Sequence, residues 1–174
     1  MPYIISNFFS DKRLSVLWLI IRLYVGWQWF EAGLEKVQSS SWVGDKAGLA
    51  IGGFLTNALT KTSGAHPDVQ AWYGFFIKDF VLPNKVIFSY LVAYGELLVG
   101  IALILGIVTG VAAFFGAFMN MNYLLAGTVS TNPLLLLLEI PLILAWKTAG
   151  WIGLDRFVLP RLKISPKSGK VSKK

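Results

Sequence analysis

Apolar residues run through this chain in four long stretches, broken by connectors that are short except in one place. Bounded by charges and helix breakers, the stretches cover residues 14–37, 85–107, 110–128 and 133–151. Each approaches the ~20 residues a helix needs to cross a bilayer. The connectors at 106–110 and 128–132 leave room only for tight turns between antiparallel neighbours. The pattern predicts an all-α integral membrane protein, an antiparallel bundle of four transmembrane helices.

The exception is the connection between the first and second stretches, residues 38–83. Val69, Trp72, Tyr73, Phe76 and Phe80 recur there at helical spacing, and Pro67 beside Asp68 suits a helix start. An aromatic amphipathic helix lying in the interface is expected, preceded by a glycine-interrupted helix between Lys46 and Thr60. This insertion either fills the interface as an aromatic belt or forms a lid over the bundle. Residues 1–155 then make one membrane domain, insertion included, and 156–174 a basic tail.

Composition agrees with the pattern. The 174 residues are 55% hydrophobic and only 14% charged, against about a quarter charged in soluble domains, and the mean hydropathy is +0.62. The net charge of +7 does not point to nucleic acid, because the positive residues form no broad basic surface. They gather after the last apolar stretch, at Arg156, Arg161, Lys163, Lys167, Lys170, Lys173 and Lys174, while Lys12 and Arg13 precede the first. By the positive-inside rule both termini are cytoplasmic, in a multi-pass protein of the cell membrane. Residues 165–174 are expected to be disordered and held against anionic lipid. The N-terminus lacks a cleavable secretory signal pattern, so the first stretch is expected to remain as a span. With no cysteine, dithiol exchange, thiolate metal sites, iron–sulfur clusters and covalently attached haem are excluded, and one histidine cannot make a histidine-pair haem site.

Against this background, charges inside the apolar stretches stand out, since an ionisable group at bilayer depth is costly and usually functional. Counted from the span ends at ~1.5 Å per residue, Arg22 lies about 12 Å from the inner edge and Glu96 about 16 Å from the outer one. In a layer of ~30 Å these depths nearly coincide. Asn120 falls at similar depth on the third span. Trp18, Arg22, Gly26, Trp29, Gly33 and Lys36 share one helical stripe; Ser89, Val92, Glu96, Gly100 and Leu103 share another. An Arg22–Glu96 pair joined by Asn120, in preference to Asn122, is therefore expected. It either locks helix register or holds a ligand, with Arg22 polarising an oxygen and Glu96 exchanging a proton. Glu31 and Glu35 point away from the Arg22 stripe and read as interfacial. Glu139 is a second relay of lower weight, His66 a turn residue, and Met119 and Met121 packing residues rather than haem ligands.

The residues Arg22-x3-Gly26-x3-Phe30-x2-Gly33-x2-Lys36, with Gly95-Glu96-x3-Gly100 on the next span, resemble the DoxX/DoxD superfamily of small four-helix membrane proteins. Trp42, His66-Pro67, Trp72-Tyr73, Asn120-Met121-Asn122-Tyr123 and Asn132-Pro133 look more like the DoxD branch, read here as the large membrane subunit of thiosulfate:quinone oxidoreductase. The resemblance implies electron transfer from thiosulfate to quinone as a diffusible co-substrate, with a small partner subunit or a homo-oligomer, and implies no haem, metal or iron–sulfur centre. On that reading Arg22 and Glu96 are the candidate catalytic residues. Lys36 and Arg22 would meet the anion, Glu96 and Asn120 the quinone head group, and Trp29 and the outer aromatics would stack on its ring. Two other functions remain open: a carrier for a small solute or proton, and a scaffold that recruits soluble redox partners.

Overall fold

The computed structural model describes residues 8–162. A single 3-10 turn, Lys12–Leu14, opened by the Asp11 side chain accepting from the Arg13 N–H at 2.9 Å, leads into α1, Ser15–Gln38. The long connection holds α2, Leu49–Thr60, and α3, Ala71–Phe76, which continues as a π-turn over Ile77–Val81. Then come α4, Lys85–Leu105, α5, Thr109–Leu125, and α6, Asn132–Leu144, followed by turns and the short α7, Asp155–Arg161.

The main bundle is α1, α4, α5 and α6. α1 packs most extensively on α4 and α5 on α6, with α4–α5 and α1–α6 contacts closing the ring. Small residues set the α1–α4 register. A Cβ at Gly33 would strike the backbone of Glu96 and Leu97, one at Gly100 would strike Phe30, and one at Gly26 would come to 3.0 Å from Leu103 and Ile104. Close backbone approach of this kind is how apolar helices associate without a hydrophobic drive between them.

Among the described residues one helix, α4, is both long and apolar enough to cross a membrane unaided. The expected set of four uniform spans is thus met in part. At 24 residues α1 has the length, but Arg22, Glu31, Glu35 and Lys36 interrupt it. The third stretch yields 17 helical residues and the fourth 13. The fourth was expected to run to residue 151; Pro141 removes a backbone donor near its end, and the chain leaves the helix after Leu144. The fold is all-α.

The insertion is helical and stitched to the bundle. Its aromatic helix starts at Ala71 rather than at Pro67, and the Val69 N–H before it donates to the Lys61 carbonyl at 3.2 Å. Lys61 Nζ donates to the Gly127 carbonyl at 2.6 Å, Ser89 Oγ to the Trp42 carbonyl at 2.6 Å, and the Tyr73 hydroxyl to the Asn122 carbonyl and Oδ1 at 3.1 and 3.0 Å. Burial pushes the Tyr73 hydroxyl up to about 12. Residues 156–161, assigned by the sequence to the tail, form most of α7, with Leu159 buried; the lysines from 163 onward lie outside the described residues.

Candidate ligand site

Arg22 and Glu96 do not pair. The α1–α4 register places Glu96 beside Gly33, so its opposite number on α1 is near residue 34, about twelve positions or roughly 18 Å from Arg22. Counting depth from the span ends failed because it took the two helices as flush, whereas the first turns of α1 reach past the end of α4. There Arg22, buried, sends Nη2 to the Ile152 carbonyl at 2.8 Å. Its guanidinium lies over Gly106, which caps α4 at φ +66° and whose Cβ, if present, would overlap Nη1. Beside it Asp155 accepts from the N–H groups of Val108 at 2.6 Å and Thr109 at 2.9 Å, supplying the first turn of α5 with a carboxylate cap. Arg22 thus fastens the 150–155 segment to the end of the bundle where α4 stops and α5 starts.

Glu96 has a different cation. Lys36 Nζ stands 2.7 Å from Oε2, with the Glu96 side chain 2% exposed and that of Lys36 21%. The Tyr123 hydroxyl donates to Oε1, and the Lys36 ammonium also lies 5.3 Å from the centre of the Trp42 ring. α1, α4 and α5 each contribute one member of this Lys36–Glu96–Tyr123 group. A second buried carboxylate, Glu139 on α6, accepts from Trp29 Nε1 at 2.6 Å and from Asn120 Nδ2 at 2.7 Å. Gly116 makes room for it, since a Cβ there would meet Glu139 Oε1 and stand 2.9 Å from Trp29 Nε1. The expected single layer of Arg22, Glu96 and Asn120 is therefore three separate networks. Arg22, Glu96 and Asn120 each find a local partner, because burial without one is costly, although Arg22 Nε and Nη1 and Asn120 Oδ1 make no hydrogen bond.

The Lys36–Glu96–Tyr123 group closes one side of a cavity of about 570 Å³ between the bundle and the insertion. Its walls are mostly apolar and aromatic: Trp29 from α1, Trp42, Phe54, Tyr73 and Ile77 from the insertion, and Met119 from α5. Ile77 and Val81, at either end of the π-turn, both line it. Of the sequence-derived candidates, Trp29, Lys36 and Glu96 line the cavity, while Arg22 and Asn120 do not; Asn122 does, against the preference for Asn120. Asn120 instead braces Glu139, and through it Trp29. Glu31 and Glu35, read as interfacial, also lie on the cavity wall. Trp42, one of the outer aromatics expected to meet the ring, does line the cavity, whereas Tyr123 carries no ligand role in the sequence reading; its one-turn spacing from Asn120 is the available signal. Among the described residues no three His, Cys, Asp or Glu side chains gather as a metal site.

A family profile described as "TQO small subunit DoxD" matches residues 17–172. The chain belongs to the DoxD family. That match corrects one expectation, for it describes DoxD as the small subunit of the complex, not the large one. No curated protein and no solved structure is significantly similar to this DoxD chain. Its family links it to a redox complex, and the buried polar networks above are its candidate machinery.

Proposed function

We propose that this DoxD chain is a four-span membrane subunit of a quinone-linked oxidoreductase and that its cavity receives the quinone head group. The observation that carries the reading is one cavity in which apolar and aromatic walls converge on a Lys36–Glu96–Tyr123 polar group. Ligand sites of this type combine apolar walls with a few placed polar groups. A quinone is a flat ring with carbonyl oxygens. The Lys36 ammonium has N–H groups beyond the one facing Glu96 and is a donor for such an oxygen, the Tyr123 hydroxyl becomes one by turning from Glu96, and Trp29 and Trp42 offer ring faces. Reduction to quinol takes up two electrons and two protons, for which Glu96 and Tyr123 are the exchangeable groups at the polar end. Two thiosulfates joined through a new S–S bond would release the two electrons. The four-span reading is supported by the outward faces of the bundle, where Ile20, Ile87, Leu98, Phe114 and Leu137 are exposed and a bilayer would cover them. With both termini cytoplasmic, the cavity opens toward the outer side, and the family's description as a small subunit favours a larger partner.

The test is a titration of the purified full-length chain in nanodiscs with a short-tailed benzoquinone, read by quenching of tryptophan fluorescence. Saturable quenching is expected, weakened about tenfold by Glu96→Gln and by Tyr123→Phe, the equivalent of one good hydrogen bond. Quenching that does not saturate, or that neither substitution alters, overturns the assignment. Solute uptake into liposomes that requires Glu96 but no electron acceptor would favour the carrier instead.

A further inference from the structure

The charges on the cavity wall are unequal. Lys36 is the one cation there among the described residues, set against three carboxylates, Glu31, Glu35 and Glu96. Glu96 already neutralises Lys36 at 2.7 Å. Glu31 and Glu35, one turn apart on α1 and exposed, are left uncompensated on the wall. Of the other bundle cations, Arg22 is tied to Ile152 at the opposite end of α1 and Lys85 is exposed at the first turn of α4, and neither lies on the wall. Lys61, near the outer face, is engaged by the Gly127 carbonyl. A cleft lined by one sign of charge within low-dielectric walls concentrates its potential and repels ions of that sign.

We infer that the cavity selects neutral ring ligands and excludes anions, so that thiosulfate, a dianion, is oxidised outside it and this chain carries the quinone half of the reaction. The inference rests on the quinone reading above and deepens it by assigning the anion to a site elsewhere in the complex. Two thiosulfates joining through a new S–S bond release two electrons, which a redox centre of the larger partner carries to the quinone, and two protons complete the quinol. Glu31 and Glu35 act here as a filter on which ligands enter, without contacting the reacting atoms.

A pair of probes tests this: menadione, which is neutral, and naphthoquinone sulfonate, a similar ring carrying one negative charge. Binding of each to the full-length chain in nanodiscs of uncharged lipid is measured at low ionic strength, where exposed charges act at full range. Menadione should bind at least tenfold more tightly. The double variant Glu31→Gln, Glu35→Gln should strengthen sulfonate binding by about tenfold, the order expected for two carboxylates acting through a protein-surface dielectric. Thiosulfate should displace no more menadione than sulfate does at equal ionic strength. Equal binding of the two probes, a sulfonate affinity unmoved by the double variant, or specific displacement by thiosulfate overturns the filter and leaves the quinone site standing. Failure of menadione to bind saturably overturns the quinone reading itself.

Discussion

Replacing Lys36 by Met removes the ammonium 2.7 Å from Glu96 Oε2 while keeping most of the side chain's length and apolar stem. The buried Glu96 carboxylate then keeps its Tyr123 hydrogen bond but loses its countercharge. Breaking a buried ion pair from one side costs ~3–5 kcal/mol. Because the Lys36 side chain is 21% exposed, water screens the pair and the expected loss falls to about 1–3 kcal/mol. Adding Glu96→Gln removes the orphaned charge, so the double variant should recover much of that loss, with a coupling energy of roughly 1–2 kcal/mol. The assay is unfolding in mixed micelles titrated with a denaturing detergent and followed by tryptophan fluorescence, for the wild type, both singles and the double. Arg22→Met is the control. It should destabilise by releasing the Ile152 carbonyl, yet add to Glu96→Gln within about 0.5 kcal/mol, as distant sites do. Coupling between Arg22 and Glu96, with none between Lys36 and Glu96, would refute the register and the site built on it.

Gly116→Ala places a methyl against Glu139 and 2.9 Å from Trp29 Nε1; a loss of ~1–3 kcal/mol is expected from overpacking, together with a shifted Trp29 emission, and an unchanged spectrum would argue against the bond. Asp155→Asn replaces one of two accepting oxygens with a donor facing the Val108 or Thr109 N–H, and should cost ~1–3 kcal/mol, read as lower stability in the same unfolding assay. The Tyr73 hydroxyl is raised to about 12 in the folded protein, whereas an unfolded tyrosine ionises near ~10. The unfolded state therefore sheds this proton first, and the stability linked to it falls as pH rises from about 10 to about 12. Tyr73→Phe should lack that component of alkaline destabilisation, and identical pH profiles for the two proteins would contradict it.

Much of the fold was legible because hydrophobic runs and breakers mark helices directly. The sequence limits of α1 and α4 differ from the structural ones by at most a residue or two at each end, and Gly106 ends α4 in the left-handed conformation that glycine readily adopts. What depended on neighbouring helices was not legible. The offset of α1 against α4 is set by Gly26, Gly33 and Gly100 meeting backbone, and nothing in a count from span ends reveals it. That offset gave Glu96 to Lys36 instead of Arg22. Facing at 100° per residue named Trp29, Lys36 and Glu96, which do line the cavity, yet it could not tell that Asn120 would turn to Glu139, on a different helix. The lining from Trp42, Phe54 and Tyr73 depends on how the insertion folds back, a long-range arrangement carried by Lys61, Ser89 and Asn122 contacts.

The central claim, that the cavity is a quinone site, is tested most directly by photolabelling the full-length chain in nanodiscs with an azido-quinone and locating the adducts by mass spectrometry. Adducts should fall on Trp29, Trp42, Met119 and Tyr123 and be suppressed by excess unlabelled quinone. Labelling confined to outward-facing residues such as Ile20, Ile87 and Leu98, and indifferent to competitor, would contradict it.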